Sequence, residues 1–132
     1  QFVIMAFASI AILVGAIGIM NTMYTSVFER TREIGVLKAV GAKRKDILAI
    51  FLIESGAIGL VGGIGGVLLG FGAAQLIEIY GQFHPILYIE ASASLWLALM
   101  ALVSAFLVGA LAGLFPARRA ASLSPVEALR YE

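Results

Sequence analysis

Three long stretches of this chain carry almost no charge, and that pattern decides what it can fold into. Phe2 to Phe28 and Ala91 to Ala117 contain no Asp, Glu, Lys or Arg, and Ile47 to Ile77 contains only Glu54. In hydrocarbon the backbone has no water to bond, so an apolar run of this length is stable only as a helix that pairs its own N–H and C=O groups. Twenty-seven residues extend roughly 40 Å as a helix, against a hydrocarbon core of about 30 Å, so the first run spans with length to spare for tilt. Charged residues make up 13% of the 132, and the mean hydropathy is +1.03. A soluble domain carries roughly 25% charge, which excludes that class. Cysteine is absent, excluding disulfides, iron–sulfur clusters and thiol catalysis, and the single His84 leaves no zinc site.

The missing charge is gathered between the runs. Glu29, Arg30, Arg32, Glu33, Lys38, Lys43, Arg44, Lys45 and Asp46 supply nine of the seventeen charged side chains, six of them basic. The other basic residues, Arg118, Arg119 and Arg130, follow the third run, whereas Glu78 to Ser94 holds Glu78 and Glu90 and no Lys or Arg. By the positive-inside rule, residues 29–46 and 118–132 are predicted on the cytoplasmic side and 78–94 outside, with the N-terminus of this segment outside. The predicted fold is an all-α membrane protein with spans at about 2–28, 47–77 and 92–117, a short cytoplasmic helix in 29–46 and a short C-terminal helix. The opening at Gln1 without Met suggests the C-terminal piece of a longer chain.

Within 29–46, Ile34, Leu37 and Val40 recur every third residue, predicting an apolar stripe on a helix from about Glu29 that stops at Gly41. The stripe needs cover, from the membrane interface or from a partner's groove. Arg30 with Glu33 and Glu29 with Arg32 are spaced to pair along the helix. In the second run, Ser55–Gly59–Gly63 and Gly62–Gly66–Gly70–Ala74 repeat small residues every fourth place, as do Ala101, Ala105, Gly109 and Gly113 in the third. Such stripes let helices approach closely, either the two runs on each other or one of them on a second copy. Glu54 reads as a snorkelling carboxylate or one paired with the charged segment, the alternative being an ion site. Asn21 is a polar candidate near the end of the first run. Tyr80, Phe83, Tyr88 and Trp96 fit an aromatic belt. Ser92 or Ser94 is placed to cap the third helix, and Ser124-Pro125-Val126-Glu127 is a capping box for a terminal one.

Gly41-Ala42-Lys43-Arg44 lacks the Gly-Lys-[Ser/Thr] core of a phosphate loop, so the chain is not expected to hydrolyse ATP or to hold a cofactor. Lys43-Arg44-Lys45 lies tight against a span without interleaved aromatics, which speaks against nucleic acid and for interfacial anchoring to lipid.

FERTREIGVLKAVGAKRKDILAIFLIES, a glycine-rich span and a terminal PARRAASLSPVEALRYE together resemble the C-terminal half of FtsX-like permeases of MacB-type ABC transporters, over nearly all of the chain. The resemblance implies four spans, with a large extracytoplasmic domain between the first and second. This chain would hold spans two to four and lack the first span and that domain. It further implies that Glu29, Arg30, Arg32, Glu33, Ile34, Leu37, Lys38, Val40 and Gly41 form a coupling element seated on an ABC ATP-binding subunit or domain. Two permease copies would pair over an ATPase dimer in the inner membrane, to export a substrate or to transmit motion to an extracytoplasmic partner. The competing expectation is a stand-alone membrane protein whose basic loop binds anionic lipid.

Overall fold

The computed structural model describes residues 1–82 and 94–124. Four helices follow in order: α1 (Phe2–Glu29), α2 (Thr31–Ala39), α3 (Arg44–Gln82) and α4 (Leu95–Ser122). Three of them are long and apolar enough to cross a membrane, and α2 is the short helix between the first two of these. The expected C-terminal helix lies outside the described residues beyond Ser124, as do Phe83, Tyr88 and Ser92.

α3 and α4 form the tightest pair, antiparallel, with α1 leaning chiefly on α4 and less on α3. Glycine makes the α3–α4 approach possible. A Cβ on Gly109 would stand 2.5 Å from the Ser55 carbonyl oxygen and 3.0 Å from the Gly59 Cα, so backbone packs on backbone. One on Gly63 would reach 2.6 Å from the Cβ of Ala105, one on Gly59 would meet the Ala105 carbonyl, and one on Gly113 the Ser55 side chain. The stripe Ser55–Gly59–Gly63 thus faces Ala105–Gly109–Gly113. Gly62, Gly66 and Gly70 lie on another face of α3, where a Cβ would meet nothing within 4 Å. A step of three residues turns about 300°, so the two stripes run about 60° apart; the first packs directly on α4, while Gly66 and Gly70 border an open space beside Leu97, Ala98 and Ala101 of α4.

α4 continues past Pro116 to Ser122, although a proline removes one ladder hydrogen bond. Pro116, Ala117, Ala120 and Ala121 are all buried at that end, so packing carries the helix through. Ser94 stands at the N-cap of α4 with extended backbone, but its hydroxyl makes no capping bond, correcting the expected role.

Burial is concentrated where the charges are. Met23 and Val27 of α1, Ile34 of α2, Ile47 and Phe51 of α3, and Ala117, Ala120 and Ala121 of α4 form one core cluster at the basic end. At about 25 cal/mol per Å2, burial of Ile34 in this cluster helps hold α2 against the three long helices.

Candidate functional site

α2 follows α1 after a single non-helical residue, Arg30, with φ −99° and ψ 14°. Thr31 Oγ donates to the Val27 carbonyl across that break at 2.9 Å. On the other side, α2 ends in a Schellman turn: Gly41 N–H donates to the Lys38 carbonyl at 3.1 Å and Ala42 N–H to the Leu37 carbonyl at 3.0 Å. Gly41 has φ +110°, a conformation that disfavours any residue with a Cβ. Asp46 then reaches back to accept the Lys43 N–H at 2.9 Å, fixing the start of α3. Both links of α2 are therefore short and capped.

Two side chains tie α2 and its entry to the other helices. Arg30 Nη1 donates to both Glu54 carboxylate oxygens, at 3.3 and 3.1 Å, while its Nε donates to Glu33 at 3.0 Å and its guanidinium lies 5.8 Å from the Phe51 ring centre. This fork joins the α1–α2 corner to α3. Lys38 Nζ donates to the carbonyls of Ala121 and Leu123, at 2.7 and 2.5 Å. Those carbonyls belong to the last turn of α4 and the residue beyond it, where unsatisfied C=O groups and the helix dipole favour a cation. Burial lowers the pKa of Lys38, and the nearby Arg44 charge adds to that.

The stripe Ile34–Leu37–Val40 does not present one surface. A step of three residues advances about 300°, so three such residues spread over about 120° of the helix. Ile34 is 2% exposed, inside the core cluster, whereas Val40 is 86% exposed and Leu37 and Val36 are half-exposed. The outward face of α2 is Glu33, Val36, Leu37 and Val40, with Arg32 at its edge and Glu29 just before the break. Arg30, Ile34 and Lys38 are engaged within the chain. Among the described residues no ion pair joins Glu29 to Arg32, because the break at Arg30 interrupts the helical spacing that would bring them together.

Sequence reasoning gave the Arg30–Glu33 pair and a partner for Glu54 in the charged segment. It missed the Lys38 clamp, whose acceptors lie 83 and 85 residues away, beyond any local pattern. It also missed the Asp46 cap, for which the signal was an acid three residues after the loop residue Lys43. Asn21 is exposed, and its carbonyl accepts from Thr25 within α1. Among the described residues no group of acidic or histidine side chains is arranged to hold a metal ion. What the arrangement fixes is a short helix tied to α3 through Arg30 and to α4 through Lys38, with Val36, Leu37 and Val40 left exposed.

Residues 5–125 match the family model described as FtsX-like permease C-terminal. An uncharacterized ABC transporter permease of Methanocaldococcus jannaschii is 50% identical over 125 residues, which is 95% of this chain and 31% of the relative. The uncharacterized ABC transporter permease YknZ of Bacillus subtilis is 42% identical over 98% of this chain and 31% of its own length. A macrolide export ATP-binding/permease protein, MacB, of Hahella chejuensis is 46% identical over 95% of this chain and 18% of its length. The chain thus spans under a third of each of these relatives.

Proposed function

The chain belongs to the FtsX-like permease family, and from that premise we propose that it is the membrane-spanning C-terminal region of an ABC transporter permease of the MacB-like class. In this reading α2 is the coupling helix. It sits on a cytoplasmic ATP-binding subunit or domain, which supplies the hydrolysis. The observation that carries the reading is the division of α2 into two faces. Its inner face is fastened to α3 through Arg30–Glu54 and to α4 through Lys38, while Val36, Leu37 and Val40 remain exposed on the outer face. A helix so fastened moves with the bundle, and an exposed apolar edge flanked by charges suits a partner's groove. Two copies over an ATPase dimer, with 29–46 and 118–132 cytoplasmic and 78–94 outside, complete the arrangement. Labelling of single cysteines replacing Lys43 or Ser122, but not Gln82, by an impermeant thiol reagent on whole cells would reverse that orientation.

The test of coupling is co-purification of the full-length permease with its ATP-binding partner. Leu37→Asp would place a desolvated carboxylate in the groove, a penalty of several kcal/mol, and is expected to abolish binding. Triple alanine replacement of Lys43, Arg44 and Lys45 is expected to leave the partner bound. The opposite pattern would favour a lipid-binding loop without an ATPase.

A further inference from the structure

A second feature of the basic end adjoins the Lys38 clamp, sharing Ala121 with it. Between the start of α3 and the end of α4 lies a pocket of about 400 Å3 lined by Arg44, Lys45, Leu48, Arg118, Ala121 and Ser122. Three of these six are cations, contributed by two helices, and no carboxylate lines the pocket. Among the described residues none of the three is in an ion pair. Asp46, the acid adjoining Lys45, is turned to the Lys43 N–H. Arg119 lies 5.6 Å from the ring centre of Phe28, so one arginine of the Arg118–Arg119 pair serves the packing of α1 and the other serves the pocket. Three like charges around one cavity repel one another, and a bound anion relieves that repulsion.

The surface below the pocket states what kind of anion. Phe115, Leu111 and Leu107 precede Arg118 on α4 by three, seven and eleven residues, which sets them on one helix face. They are 69%, 68% and 54% exposed. The track from Arg118 to Leu107 is roughly 16 Å long at 1.5 Å per residue, about the depth of one leaflet of a 30 Å core. A free phosphate ion has no use for such a track. We propose that the pocket holds the phosphodiester headgroup of an anionic phospholipid, whose acyl chains lie along Phe115, Leu111 and Leu107. The proposal rests on α3 and α4 being membrane spans and is independent of the docking of α2.

The test is native mass spectrometry of the full-length protein in neutral detergent, titrated with phosphatidylglycerol or phosphatidylcholine. Phosphatidylglycerol is expected to bind more tightly, and Arg118→Gln and Arg44→Gln each to raise its Kd about fivefold, the effect of one cation at an anionic surface. Lys43→Gln removes an exposed cation that does not line the pocket and is expected to leave the Kd unchanged, and millimolar glycerol phosphate is expected not to displace the lipid. An equal loss with Lys43→Gln would mean diffuse surface charge and would overturn the site. Equal binding of phosphatidylcholine would also overturn it, and displacement by glycerol phosphate would make it a soluble-anion site. Loss of the ATP-binding partner from Arg118→Gln with lipid binding unchanged would assign the pocket to that partner instead. Should Arg118→Gln fail to fold, Arg44→Gln in the exposed first turn of α3 carries the same test.

Discussion

At the basic end, α2 and the ends of three long helices enclose Met23, Ile34, Ile47, Phe51 and three alanines, and two cations cross-link the helices; at the far end α1 has no buried residue before Met23. Phe2 and Phe7 are 90% and 70% exposed there. Between α1 and the α3–α4 pair an apolar groove of about 680 Å3 opens, bordered by Gly15, Gly62, Gly66 and Ala101. The contrast reflects the two solvents. Lipid covers exposed apolar helix at no cost, so it gives three spans little reason to pack except where glycine allows backbone contact. At the basic end α2 is amphipathic and its links carry polar groups, so water-driven burial and charge-assisted hydrogen bonds both operate. Packing and cross-links are therefore concentrated around α2, the helix proposed to meet the ATP-binding partner.

The contrast breaks most visibly if the glycine contact is filled. Gly109→Leu would drive a side chain into the Ser55 carbonyl and Gly59 backbone. It is expected to cost about 3 kcal/mol or more, at or above the upper end for overpacking, read as loss of the folded, monodisperse protein in detergent. Smaller is the loss of the α4 clamp. Lys38→Met removes the donor to the Ala121 and Leu123 carbonyls and is expected to cost about 1–2 kcal/mol, seen as faster hydrogen exchange at the α2 amides. Gly41→Ala forces a Cβ onto φ +110° and is expected to cost about 1–2 kcal/mol, lowering the melting temperature without altering α3–α4 packing. Smallest is Gly66→Leu, whose new Cβ meets nothing within 4 Å and whose side chain extends into the open groove between the helices. Its melting temperature is expected to match the parent's, as for substitutions away from packed features. A loss as large as that from Gly109→Leu would show that this face of α3 is packed after all.

The spans and the short helix could be read directly from the sequence because they depend on local composition: charge-free runs of membrane length and a charged segment closed by Gly41. The small-residue stripes were legible as stripes, but not which would meet α4, since both satisfy the same spacing and only the docking of the two helices chooses between them. The apolar positions of α2 were legible too, yet a spacing of three hid that Ile34 and Val40 point to different sides. Least legible were contacts between distant segments. Lys38 on the end of α4, and Arg118 beside Arg44 and Lys45, require the antiparallel return of α4, which no window of sequence contains. Glu54 was the exception, because an acid near the start of an apolar run needs a cation and the adjacent segment supplied several.

On the proposed function, α2 presents one face to an ATP-binding partner and the other to its own bundle. A photo-crosslinking amino acid placed singly at positions 34, 37 and 40 of the full-length permease, irradiated in intact cells, reads both faces at once. Crosslinks to the ATP-binding subunit or domain are expected from 37 and 40, while position 34 is expected to give none to it. Crosslinking of 37 and 40 to lipid alone, or of 34 to the ATP-binding partner, would contradict the account.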